Sequence, residues 1–262
     1  MMSAGHRARK RFGQHFLVDD SVIHRIIRAV HPVATDRLIE IGPGLGALTL
    51  PLLSRGMSLT LIELDRDLVL RWQAYPAHPP LTVIAQDVLT VDFSQFGQSL
   101  RLIGNLPYNI STPFLFHLAA DAQRYRDAHF MLQKEVVERM VATPGSRDYG
   151  RLSVMLQYHF DMESLMDVEA DAFDPPPKVR SAVVRLIPRM VTARPDANFE
   201  HLSTLVTTAF AQRRKMLRVS LKNMVSEDDL KQAGIDPTRR AETVSLEEFC
   251  RLSLSEGRSE NK

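Results

Sequence analysis

The sequence predicts an α/β fold: a doubly wound, mostly parallel sheet of seven strands with an antiparallel edge, followed by a small C-terminal α-helical domain. Three observations predict it. From about residue 20 to residue 188, short runs rich in Leu, Ile and Val alternate with helix-period segments, the pattern of βα units around a parallel sheet. Past "PRMVTARPDANF" (188–199) the strand signal stops and helical periodicity alone continues. A Pro-bearing polar link between two pattern types marks a domain boundary, so residues 1–192 are expected to form one domain, with a basic N-terminal extension, and residues 193–262 the other.

Each element follows from its local pattern. Strands are expected at "RLIEI" (37–41), "SLTLIE" (58–63), "LTVIAQ" (81–86), "LRLIG" (100–104), "AHFMLQ" (128–133), near 162–168, and at "SAVVRLI" (181–187), the last two as a hairpin. Helices are expected at about 20–30, 46–54, 66–74, 111–120, 134–142 and 150–158. In the C-terminal part they are expected at 198–212, 213–224, 226–233 and 245–254.

Composition bounds the function. Hydrophobic residues at 44% and charged residues at 24% are ordinary for a globular chain. The net charge of +2 conceals two basic blocks: Arg7, Arg9, Lys10 and Arg11, and then Arg213, Arg214, Lys215, Arg218 and Lys222. Cys250 is the single cysteine, which excludes an intrachain disulfide and a cysteine metal cluster, and no metal is expected. The N-terminus lacks the apolar run of a leader, and no stretch reaches membrane-spanning length. The expectation is a cytoplasmic protein with no membrane partner.

"IEIGPGLGALT" (39–49) follows a strand and opens a helix, with Gly42, Gly44 and Gly46 at alternate positions. Such a loop lets a ligand approach main-chain atoms. Its G-x-G-x-G spacing is not the dinucleotide fingerprint, and no Walker lysine follows. The next two strands end in Glu63 and Asp87. Ligands of doubly wound sheets collect at the carboxyl ends of strands, so Gly42, Glu63 and Asp87 should meet in one crevice. A carboxylate after the second strand suits ribose hydroxyls, and one after the third suits an adenine amino group. These residues resemble those of S-adenosylmethionine-dependent methyltransferases with the Rossmann-like seven-stranded fold.

The fourth strand ends in Asn105, Leu106, Pro107 and Tyr108. An amino group conjugated to a base is a poor nucleophile because its lone pair is delocalised. Two fixed acceptors on its N–H bonds would turn the lone pair towards a methyl donor and stabilise the growing positive charge. Asn105 offers a side-chain carbonyl, the Leu106 backbone carbonyl a second acceptor, Pro107 restricts the angle, and Tyr108 presents a ring on which a base can stack. A pyrimidine C5 reaction needs a cysteine nucleophile, and Cys250 lies far away in the helical tail.

"KRFGQHFLVD" (10–19), "EIGPGLGALT", "VIELDRDL", "QDVLTVDF", "GNLPYNISTPFLFHL", "FDPPPKVRSAVVRL" and "AFAQRRKMLRVSLKN" together resemble the ribosomal RNA adenine N6,N6-dimethyltransferases, in their bacterial small-subunit branch, from about residue 10 to 253. The resemblance implies dimethylation of two adjacent adenosines in the 3′-terminal hairpin of small-subunit ribosomal RNA, on an assembling 30S subunit, by a monomeric enzyme. It also implies that His15, Leu17, Gly42, Gly44, Glu63, Asp87 and Asn105 border the cofactor, with Gln14 adjacent, and that Asn105, Leu106, Pro107 and Tyr108 form the catalytic motif. His15 stands where members carry Asn or His.

In "FDPPPKVRS" three prolines are expected to hold Phe173 as an exposed ring facing the target base opposite Tyr108. On a helix over 213–224, Arg214, Arg218 and Lys222 would share one stripe, suited to RNA phosphates. The rival readings are a large-subunit RNA adenine methylase with a similar "NLPY" motif, a glutamine-amide methylase, and an RNA-binding assembly checkpoint whose methylation is secondary.

Overall fold

The computed structural model describes residues 14–78 and 81–255; the N-terminal cations Arg7, Arg9, Lys10 and Arg11 lie outside them. The described residues form a main sheet from β2 (Arg37–Ile41), β3 (Leu59–Glu63), β4 (Leu81–Ala85), β5 (Leu100–Asn105), β6 (Tyr125–Gln133), β7 (Phe160–Val168) and β9 (Ser181–Pro188), in the order β4-β3-β2-β5-β6-β9-β7. Strands β2 to β6 are parallel, and β9 joins β6 antiparallel. All seven strands expected from the sequence are present.

A two-stranded sheet absent from the sequence reading joins β1 (Phe16–Leu17) to β8 (Phe173–Asp174), antiparallel, with Leu17 opposite Phe173. The chain between β1 and β2 is α1 (Asp20–Val30), capped by Asp19, whose side chain accepts from the Ser21 and Val22 amides. Its buried face of Val22, Ile23, Ile26, Ile27 and Val30 has helical spacing. Helices α2 (Thr49–Ser54), α3 (Arg66–Gln73) and α4 (Ser111–Ala120) supply the crossovers.

Strand β5 is central and buried. Leu100, Leu102 and Ile103 have no exposed surface, as expected where helices cover both faces. At its N-terminal end Arg101, 4% exposed, binds Asp127 through two hydrogen bonds (2.9 and 2.8 Å), Asp36 (2.5 Å) and the Val30 carbonyl (2.6 Å). The guanidinium thereby ties β5 to β6 and to the end of α1. At the other end Gly104 runs so close to β2 that an added Cβ would lie 2.5 Å from the Ile41 carbonyl oxygen.

The chain divides into two compact units. Among the described residues one comprises 14–137 and 162–188, the other 138–161 and 189–255. The sequence-based boundary at 192/193 therefore shifts to 188/189, and residues 138–161 move to the helical unit. This segment closes α5 (Lys134–Val141) and forms α6 (Arg151–His159); its apolar residues Leu152, Met155 and Leu156 are buried, and Tyr149 donates to the Val244 carbonyl (3.0 Å). Linear periodicity cannot show that a helix between two strands packs elsewhere.

The helical unit further contains α7 (Phe199–Ala211), α8 (Leu217–Ser220), α9 (Glu227–Gln232) and α10 (Leu246–Ser253). Ser226 with Asp229, and Ser245 with Glu248, form capping boxes. The helix expected over 213–224 is absent; only the single turn α8 forms. Met216 is extended and bridges Arg240, while the Leu217 amide donates to Arg239 and that of Arg218 to Pro237. Pairing with 237–240 takes the backbone groups that a continuous helix would need.

Candidate active site

The glycine loop leaves β2 with Gly42 and Gly44 at φ 64° and 54°, in the left-handed region that side chains rarely adopt. Gly46 answers to packing: an added Cβ would meet Trp72 at 2.6 Å, and the Trp72 indole N–H donates to the Gly44 carbonyl (3.0 Å). The loop is thus clamped from α3 while its other side borders a cavity.

That cavity is lined by Gln14, His15 and Leu17 from the N-terminal segment, Gly42 and Gly44, Glu63 after β3, Asp87 after β4, and Asn105, Leu106, Pro107 and Tyr108 after β5. Apolar walls come from Phe16, Ile41, Ile62, Leu64, Val88 and Ile110. Every residue expected to border the cofactor or carry the transfer is brought together here, at the carboxyl ends of the parallel strands.

Glu63 is 8% exposed. Its Oε1 accepts from the Leu64 and Asp65 amides (2.8 and 2.9 Å), which fixes the carboxyl plane. Burial raises its pKa, against these hydrogen bonds, which favour the charged form. Asp87 Oδ1 caps the following turn by accepting from the Leu89 amide (3.0 Å). In both acids the backbone holds one oxygen, which orients the carboxylate.

Glu40 also lines the cavity, and sequence reasoning missed it. It is 2% exposed, accepts from the Thr49 hydroxyl (2.7 Å), and is pushed up to about 8 by burial, with the nearby Glu63 charge adding to the rise. An acid inside "RLIEI" was the available signal, since a buried strand otherwise carries apolar side chains.

Asn105 ends β5 opposite Met131. Its Nδ2 donates to the His15 carbonyl (2.8 Å), so the amide orientation is set by the N-terminal segment. The Leu106 amide donates to the Met131 carbonyl (3.1 Å), and the Pro107 carbonyl accepts from the Ile110 amide (3.2 Å) and the Ser111 hydroxyl (3.1 Å). Tyr108 shares a 2.7 Å hydrogen bond with the Ser181 hydroxyl, and its ring stacks with His15 at 5.7 Å and 26°. His15 Nδ1–H in turn donates to the Pro175 carbonyl (2.8 Å), and burial raises the Tyr108 pKa.

Phe173 departs from expectation. It is 3% exposed and belongs to the same buried cluster as Leu17, Met131, Val168 and Val183; it does not line the cavity. The pairing of β8 with β1 sets the ring on the core side, where burying a Phe contributes about 1.5–3 kcal/mol. Tyr108 is the ring that the expected base-stacking pair presents to the cavity.

In the helical unit Arg213, Arg214, Lys215, Arg218 and Lys222 are all exposed. Arg213 pairs with Glu242 (2.8 Å) and also donates to the Arg147 carbonyl; Arg218 approaches Glu227 (4.0 Å). The cations lie on a turn and a short helix instead of one stripe, and the bridge at Met216 brings exposed Arg240 beside them.

Residues 5–255 match the family model described as ribosomal RNA adenine dimethylase. The chain is 55% identical over 249 residues to a ribosomal RNA small subunit methyltransferase A of Dechloromonas aromatica, covering 95% of this chain and 98% of that protein. It is 56% identical over 253 residues to the protein of the same name from Bordetella pertussis, with 96% and 95% covered. Among solved structures, a dimethyladenosine transferase from Plasmodium falciparum superposes with a TM-score of 0.73 at 25% identity, covering 91% of this chain and 96% of that one. The 23S rRNA methyltransferase ErmE gives 0.70 at 27% identity, covering 90% and 97%. With the family model matched over residues 5–255 and relatives more than half identical over nearly the whole length, this chain belongs to the ribosomal RNA adenine dimethylase family.

Proposed function

We propose that the protein transfers methyl groups from S-adenosylmethionine to N6 of two adjacent adenosines in the 3′-terminal hairpin of small-subunit ribosomal RNA, giving N6,N6-dimethyladenosine. The observation that carries the chemistry is the hydrogen bond from Asn105 Nδ2 to the His15 carbonyl. With the amide nitrogen committed, the side-chain carbonyl oxygen is left to accept from the target amine. The small-subunit assignment rests on relatives above 50% identity named for that subunit, against 27% for ErmE.

The lining suits the cofactor. Glu63 offers a buried, oriented carboxylate for ribose hydroxyls, Asp87 an acceptor for the adenine amino group, and Gly42 and Gly44 open main-chain surface for the methionine part. Gln14, His15 and Leu17 cover the cavity from the N-terminal segment. When bound, S-adenosylmethionine supplies an electrophilic methyl on a sulfonium.

The chain's own residues then act on the nitrogen. Asn105 and the Leu106 carbonyl take its N–H bonds and stabilise the positive charge that grows on it. Pro107 restricts the Leu106 backbone. Tyr108, held by Ser181 and His15, stacks on the base. No general base is needed in the transfer, because the methylated nitrogen loses its proton to water. Phe173 completes a sandwich only by leaving the core.

Arg213, Arg214, Lys215, Arg218 and Lys222 contact RNA phosphates. The enzyme works as a monomer on the assembling 30S subunit in the cytoplasm; among the described residues no helix is long and apolar enough to cross a membrane. The test is transfer of labelled methyl groups to undermethylated small subunits, with modified nucleosides identified by mass. N6,N6-dimethyladenosine in small-subunit RNA is expected; label confined to large-subunit RNA or protein would overturn the reading.

A further inference from the structure

Among the described residues, all buried polar side-chain atoms of the helical unit that lack a hydrogen-bond partner fall in one cluster: His159 Nδ1 and Arg194 Nε and Nη2. Buried polar groups are satisfied almost everywhere in folded proteins, so orphans that gather in one place mark a polar spot whose own fold leaves it unpaired. His159 is only 7% exposed, and among the described residues no carboxylate pairs with Arg194. The guanidinium instead lies 5.7 Å from the Tyr158 ring centroid, a cation–π contact that offsets part of the cost of burying a charge.

The surroundings are aromatic and open. Tyr158 and Phe199 lie 5.3 Å apart at 32°, His159 meets Phe199 edge-on at 5.0 Å, and Phe199 is 44% exposed at the start of α7. Met190 and Val191, just before Arg194, are 70% and 63% exposed. Burial keeps the His159 pKa low, at about 4, so at neutral pH the ring is an uncharged hydrogen-bonding group beside one cation. An exposed ring next to an unpaired guanidinium matches a nucleotide: a π-face for the base and a fixed positive charge for the phosphate.

We propose that Tyr158, His159, Arg194 and Phe199 form a binding site for one unpaired RNA nucleotide, separate from the basic block at 213–222. Phe199 carries the base, Arg194 meets the phosphate through Nη1, and His159 offers Nε2 as a polar edge, these being the nitrogens of the two groups outside the fully buried set. The inference rests on the reading that the helical unit meets RNA and adds to it a stacking subsite for a single-stranded stretch.

The test uses the full chain and a fluorescein-labelled, single-stranded decaadenylate. Phe199→Leu and Arg194→Gln should each weaken its binding about fivefold or more, the lower end of what one stacked base contributes, and Arg194→Gln should reduce the salt slope by about one. Affinity and salt slope equal to wild type in both folded variants would overturn the site.

A second measurement needs no variant. A 4-thiouridine placed in the oligonucleotide should photocrosslink to the peptide containing Phe199; a crosslink map with nothing there overturns the proposal even if a variant misfolds. Charge reversal at Arg213, Arg214 and Lys215 reports separately on the basic block. Unchanged binding in that variant, with the Phe199 crosslink intact, would sink the role of the block and leave the stacking subsite standing.

Discussion

On the proposed mechanism Asn105 does two jobs with two atoms, and substitution can separate them. Nδ2 tethers the N-terminal segment by its 2.8 Å hydrogen bond to the His15 carbonyl, while the side-chain oxygen is assigned to the target amine. Losing the tether alone costs about 1 kcal/mol, the net value of one hydrogen bond. In a chain of this size that is a fall of about 2–4 °C in the unfolding midpoint. Losing a preorganised partner of developing charge costs about 10²–10³ in kcat.

Asn105→Ala should therefore unfold only slightly early, bind RNA as the wild type does, and transfer methyl groups at least a hundredfold more slowly. Asn105→Asp keeps an oxygen but sets a carboxylate against the His15 carbonyl, so it should share the tether loss and recover part of the rate. Steady-state methylation of undermethylated small subunits measures kcat, and amide exchange at Phe16 and Leu17 measures the tether. Faster exchange in Asn105→Ala with kcat within tenfold of wild type would refute the reasoning, leaving Asn105 as a structural tie.

Three further outcomes follow from the scaffold. Arg101→Met strands the Asp127 carboxylate and leaves Asp36 with only Arg126 and the Val33 amide, and should destabilise the fold by about 3–5 kcal/mol, read from urea unfolding; a loss below 1 kcal/mol would contradict this network. Gly104→Ala forces β5 off β2 where the Ile41 carbonyl lies 2.5 Å from the new Cβ. It should cost about 1–3 kcal/mol and reduce cofactor affinity, and wild-type cofactor binding by calorimetry would count against it. Glu40 titrates near 8 when folded and near 4.5 otherwise, so between those values the folded state holds the extra proton. Its contribution to stability is complete below pH 4.5 and is lost as pH rises through 8, at a limiting slope of about 1.4 kcal/mol per pH unit. Glu40→Gln should remove that slope from urea titrations between pH 5 and 8, and an unchanged slope would refute the assignment.

The sheet was legible because each strand writes itself locally as a short apolar run, and the cavity was legible because ligands gather where parallel strands end. Gly42, Glu63, Asp87 and Asn105 needed only those two regularities to be brought together. Glu40 escaped because its character depends first on burial, which only the assembled fold decides, and then on the Thr49 hydroxyl and the Glu63 charge that the fold brings to it. Phe173 was misjudged because β1 and β8 are two residues long, too short to show a period, and their pairing buries the ring. The helix expected over 213–224 yielded to a pairing with 237–240 that periodicity does not encode.

The strands β1 and β8 also bear on when the enzyme becomes competent. The contact from His15 to Pro175 spans 160 positions, so closing it is a non-local step with a large loop-closure cost. During synthesis the glycine loop, both acids and Asn105 leave the ribosome well before the segment that secures their cover. A nascent chain arrested ahead of residue 173 would hold most of the cofactor cavity yet lack both the anchor for the His15 ring and the Ser181 hydroxyl for Tyr108. The last piece of the site to be made is thus also among the last of its domain.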